Sequence, residues 1–149
     1  MANWRERARA WGLLGLLLGV HVWAHLHWIW TNVTPVGYDL GGHLGRTLEV
    51  ADVLSTLTPR TLLQAFTLTD YRPPLLYVLA QPFYWLFGVS MDSAQYLNVV
   101  LFVVIALLTY DLGRRVFDEW TAWLAVALVA FWPLTAAMTR LFYMENLQT

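Results

Sequence analysis

The sequence predicts an all-α membrane protein, with three transmembrane helices plus an extracytoplasmic loop carrying two juxtamembrane or interfacial helices. Three observations predict it. Apolar residues make up 58% of the chain and charged residues 13%, against roughly 45–50% and 25% in an ordinary soluble domain. Nine Trp and seven Tyr stand among the 149 residues, and such aromatics favour the membrane–water interface. Residues 10–38, 73–91, 93–110 and 120–139 contain no Asp, Glu, Lys or Arg, and a hydrocarbon core of roughly 30 Å takes about 20 apolar residues in a helix.

The first span is expected over residues 12–30. Trp4, Arg5, Arg7 and Arg9 precede it, and Trp23, Trp28 and Trp30 crowd its far end. Its apolar stretch is long for a cleavable signal peptide and no small-x-small site follows it, so it reads as an uncleaved helix. Residues 73–88 are too interrupted for a span. They open on Pro73 and Pro74, as helix starts often do, carry Pro82 inside and end at Gly88. Tyr77, Gln81, Tyr84 and Gly88 form a polar or small stripe on one helical face, which suits a helix at the interface or packed beneath a polar cavity. Spans at residues 93–112 and 120–139 follow.

Charge sets the topology. With residues 73–88 outside the bilayer, Arg114 and Arg115 fall on the same side as Arg5, Arg7 and Arg9, as the positive-inside rule prefers. The loop of residues 31–92 is then extracytoplasmic, residues 111–119 are cytoplasmic, and the chain from Arg140 is outside again. The close on Glu145-Asn146-Leu147-Gln148-Thr149, without charged tail or capping signal, predicts a longer parent and an inactive isolated chain. The net charge of −1 says nothing about nucleic acid, and no basic block is present to suggest such a partner, so none is expected. Cysteine is absent, which excludes a disulfide frame, a thiolate metal site and a cysteine nucleophile.

The candidate chemistry lies outside the membrane. After the turn-rich Thr34-Pro35-Val36-Gly37, a helix is expected from Tyr38 to about Leu57. Asp39, His43 and Arg46 stand at i, i+4 and i+7 on it, so they share a face. Asp39 is either a general base or metal ligand assisted by His43, or an N-cap beside a solvated histidine. Glu145 is a second acidic candidate. Arg140 and Arg72 are candidate phosphate contacts, because a guanidinium binds phosphate bidentately; the alternative for Arg140 is snorkelling to the interface. His21, His25 and His27 read as interfacial and bundle-facing residues, since nothing supplies further metal or haem ligands.

The order of these features resembles the N-terminal region of the GT-C glycosyltransferases, in the branch holding protein O-mannosyltransferase-like and lipid A aminoarabinose transferase-like enzymes. The resemblance rests on Tyr38-Asp39-Leu40-Gly41-Gly42-His43-Leu44 after the first span, then Tyr71-Arg72-Pro73-Pro74-Leu75-Leu76-Tyr77 leading to Trp85-Leu86-Phe87-Gly88. Leu112-Gly113-Arg114-Arg115-Val116-Phe117 closes the next span, and Arg140 and Glu145 follow the last. Residues 1–149 would form the N-terminal part of such a domain.

The resemblance implies an enzyme of the plasma (inner) membrane that moves a sugar from a polyprenyl-phosphate donor to a lipid, glycan or protein acceptor on the extracytoplasmic face. Asp39 and Glu145 would be catalytic, with His43, Arg46, Arg72 and Arg140 contacting substrate. A divalent metal ion is the one cofactor suggested. Leu40 stands where relatives carry a second acid, and Tyr71 where some carry a metal-binding acid, with Asp70 one step away. An aromatic interfacial helix would help line a groove for the isoprenoid tail. The competing reading is a non-enzymatic transporter or assembly subunit, which would tolerate Asn or Ala at Asp39 and Glu145.

Overall fold

The computed structural model describes residues 4–33, 38–68 and 73–142. They form helices only: α1 (Trp4–Thr31), α2 (Tyr38–Val53), α3 (Pro59–Thr67), α4 (Leu75–Phe87), α5 (Met91–Val116), α6 (Glu119–Phe131) and α7 (Pro133–Arg140). The chain is an all-α membrane protein. Arg9–Thr31 of α1 and Met91–Val116 of α5 are each long and apolar enough to cross a bilayer.

Residues 120–139, expected to form a third span as one continuous helix, are divided between two helices. The break falls between α6 and α7, with a bend of 57°. Pro133 at the start of α7 has no N–H to give back to the preceding turn. Trp132 before it takes an extended conformation (φ −66°, ψ 124°), the region a residue preceding proline prefers. Either half alone is too short to span: α6 has 13 residues, or roughly 20 Å at about 1.5 Å per residue.

The loop also differs from expectation. The helix expected to reach Leu57 stops at Val53, and a further helix, α3, follows. Thr58 caps α3, accepting from the Thr61 N–H at 3.1 Å while Thr61 Oγ1 accepts from the Thr58 N–H at 2.9 Å. With Pro59 in the first turn, this reciprocal cap starts a new helix in place of prolonging the old one. The loop thus holds three helices among the described residues. α4 starts just after Pro74, runs through Pro82 and stops at Gly88, whose φ of 83° is a left-handed value that glycine adopts freely.

Two buried clusters lie toward opposite ends of the bundle. One joins Leu14 of α1 to Ala106 and Tyr110 of α5 and Ala122 and Val126 of α6. There Trp11 meets Tyr110 edge-on at 5.3 Å, and Arg9 lines the same depression as Glu119 and Trp120. The N-terminal arginine segment and the Arg114–Arg115 turn therefore share one end, as the charge pattern predicts. The other cluster gathers Leu40, Val50, Leu76, Tyr77, Tyr84, Ala94, Leu97 and Phe142, so α4 packs on α2 and on the first half of α5. At 13 residues, roughly 20 Å, α4 is short of a span and caps this second end.

Candidate functional site

The second end carries two polar seams. In the first, α4 turns Tyr77, Gln81 and Tyr84 inward, three members of the stripe read from the sequence. His43 of α2, only 5% exposed, shares a 2.9 Å hydrogen bond between its Nδ1 and the Tyr77 hydroxyl. One turn later Thr47 donates its hydroxyl to the His43 carbonyl at 2.9 Å. The Gln81 amide then crosses the seam, donating to the Thr47 carbonyl at 3.1 Å and to the Tyr77 carbonyl at 2.8 Å. Buried polar groups are stable only when hydrogen-bonded, so these bonds fix α2 against α4 in one register. Burial also raises the pKa of the Tyr84 phenol beside them, because the phenolate is disfavoured away from water.

This packing decides what α2 presents. Asp39 stands inside the first turn of the helix, one residue past its start, and is exposed. A carboxylate there is favoured by the positive end of the helix dipole. His43 is not solvated; it is an anchor of the seam. Arg46, half-buried, pairs with Glu49 at 2.6 Å. The three residues expected to act as one face are thus divided between solvent, a helix interface and an ion pair.

The second seam lies among α1, α5 and α7. The Arg140 guanidinium sits 5.9 Å from the centre of the Trp28 ring, a cation–π distance, and its buried Nε has no hydrogen-bond partner among the described residues. Asn98 of α5 donates its amide to the Met138 carbonyl at 3.2 Å and to the Leu141 carbonyl. The last carbonyls of a helix have no partner within it, and a membrane core offers no water to supply one. Asn98 does so for the broken span. His21 and His25 complete the seam, with ring centres 5.7 and 5.3 Å from that of Phe102. His27 turns the other way, beside Trp23. These are the bundle-facing and interfacial positions expected of them.

Of the six candidate site residues, Asp39, His43, Arg46 and Arg140 lie within the described residues; Arg72 and Glu145, like Asp70 and Tyr71, lie outside them. Leu40 near the start of α2 and Phe142 just past α7 belong to one buried cluster. Leu40, at the position where relatives carry a second acid, is 5% exposed and part of this core. No three His, Asp or Glu among the described residues gather closely enough to hold a metal ion, so those residues alone do not fit one. Asn98 and Gln95, both buried in α5, carry no charge and so do not interrupt its uncharged run; a polar residue inside a span is the signal that reveals them.

Residues 71–149 match the family described as dolichyl-phosphate-mannose-protein mannosyltransferase. The chain belongs to that family. The match covers α4 to α7 with Arg72, Arg140 and Glu145, and leaves α1 to α3, with Asp39, ahead of it. The chain is also 32% identical over 82 residues to a probable 4-amino-4-deoxy-L-arabinose-phosphoundecaprenol flippase subunit ArnF of Proteus mirabilis, covering 55% of this chain and 61% of that protein. The chain therefore spans about three-fifths of the length of the curated relative it matches. No solved structure matches it.

Proposed function

We propose that this protein acts as a glycosyltransferase, moving a sugar from a polyprenyl-phosphate-linked donor to a lipid, glycan or protein acceptor on the extracytoplasmic face of the plasma (inner) membrane. The family match over residues 71–149 is the observation that carries the reading. In the proposed reaction Asp39 takes the proton of the acceptor hydroxyl. The acceptor oxygen bonds to the anomeric carbon as the bond from that carbon to the phosphate oxygen breaks, releasing polyprenyl phosphate. Arg140 and Arg72 offset the negative charge that develops on this leaving group. His43 holds α2 against α4 in this scheme, Arg46 stands paired with Glu49 on the same helix, and Glu145 supplies the second carboxylate.

The exposed Asp39, on a helix whose register is fixed by His43 and Tyr77, supports this reading, because a base must be both accessible and held. The similarity to a flippase subunit favours a second one, a non-enzymatic subunit that moves the lipid-linked sugar. Replacing Asp39→Asn in the full-length protein separates them. Transfer of radiolabelled sugar should fall by at least roughly a hundredfold, the lower range for losing a general base, with membrane insertion unchanged. Undiminished transfer by the variant would sink the catalytic assignment.

A further inference from the structure

At the end of the bundle shared by the N-terminal arginine segment and the Arg114–Arg115 turn, α1 and α6 form a depression of about 310 Å³. Arg9, Ala10 and Leu13 line it from α1, and Glu119, Trp120 and Trp123 from α6. Arg114 and Arg115 at this end both pair with Asp111, at 2.6 and 2.7 Å. Arg9 is exposed, and among the described residues no carboxylate pairs with it, Glu119 included. Opposite charges thus share one depression without closing on each other. We propose that the depression binds the headgroup of a zwitterionic aminophospholipid, with its phosphate on Arg9 and its primary ammonium on Glu119. The site stands at the opposite end of the bundle from Asp39 and does not depend on the transferase reading.

Each polar group of the lining has a part of that headgroup to meet. Glu119 Oε1 accepts the Tyr110 hydroxyl at 3.0 Å, which holds the carboxylate in place and leaves Oε2 for a second donor. A primary ammonium has three N–H bonds to give. The Trp120 and Trp123 rings are parallel to within 8°, their centres 6.4 Å apart, and indole faces attract a cation. The indole N–H of Trp123 is buried without a partner among the described residues, which suits an ester or phosphate oxygen of the lipid. Depth follows the same order. Arg9 and Glu119 stand nearer the helix starts, while Leu13 and Trp123 lie one turn further along α1 and α6, as headgroup precedes acyl chain. The chemistry also separates this lipid from its neighbours in a bilayer. An anionic headgroup would satisfy Arg9 but oppose Glu119, and a choline headgroup offers the carboxylate no N–H.

The test is native mass spectrometry of the full chain in detergent, mixed with phosphatidylethanolamine, phosphatidylcholine and phosphatidylglycerol of matched acyl chains. Retention of phosphatidylethanolamine should exceed that of either other lipid roughly tenfold, the effect of one hydrogen bond to a charged group. Glu119→Gln keeps an acceptor for Tyr110; it should erase this preference and raise phosphatidylglycerol binding. Arg9→Gln, at an exposed position, should weaken retention of all three lipids. Arg115→Gln removes a charge at the same end that is already paired with Asp111, and should leave retention unchanged. Equal retention of phosphatidylethanolamine and phosphatidylcholine overturns the proposal, as does a preference for phosphatidylglycerol. A phosphatidylethanolamine preference that survives Glu119→Gln, or lipid binding that Arg9→Gln leaves intact, overturns it as well.

Discussion

The imidazole of His43 and the phenol of Tyr77 meet 2.9 Å apart across the seam between α2 and α4. Both side chains are buried, and they come from segments 34 positions apart in sequence. The bond joins the helix that carries Asp39 to the one that begins the family-matched region. Tyr77→Phe removes it while preserving the ring. Losing one partner of a buried hydrogen bond costs about 1–3 kcal/mol, so the variant should unfold at a lower temperature in detergent. Transfer by the full-length variant should fall as well, since α2 is no longer held in register. An unchanged melting temperature would show that the bond does not anchor the helix.

The N-terminal arginine segment and the Arg114–Arg115 turn should both lie on the cytoplasmic side. The chain has no cysteine, so single-cysteine variants can be labelled without background. Arg115→Cys should react with a membrane-impermeant maleimide only after the cells are permeabilised. Leu57→Cys, exposed between α2 and α3, should react in intact cells. Labelling of Arg115→Cys from outside would reverse the topology and bring Asp39 to the cytoplasmic face.

The long elements were legible because the bilayer imposes a coarse rule: apolar runs of sufficient length between arginine clusters. The inward stripe of Tyr77, Gln81 and Tyr84 was legible for a related reason, since α4 is amphipathic at helical spacing. Pro133 was visible in the sequence but outweighed by the uncharged run around it; a count of charges is blind to a missing backbone donor. α3 was signalled by Thr58-Pro59, a cap followed by a first-turn proline, inside a segment too polar to draw notice. The division of Asp39, His43 and Arg46 was not legible. Helical spacing says which residues share a face, but only the partner helix decides which part of that face is covered. The pairing of Asn98 with carbonyls 40 and 43 positions away likewise depends on where the broken span ends.

Close approach of α5 and α6 depends on Gly113. A Cβ built there would lie 2.8 Å from the Cα of Ala122 and 3.0 Å from its Cβ. The nearer atom is backbone, so no side-chain rotation relieves the clash, and α6 itself must move. Tyr110 and Glu119, bonded at 3.0 Å across the same hairpin, would be drawn apart. Gly113→Ala should therefore destabilise the protein by about 1–3 kcal/mol, the usual cost of overpacking. Gly15→Ala is the matched control, because its added methyl meets open space and alanine is the better helix former. Thermal unfolding in detergent should separate the two, with Gly15→Ala at or above the parent and Gly113→Ala below it. Equal melting temperatures for both variants would mean that α6 does not approach α5 at Gly113.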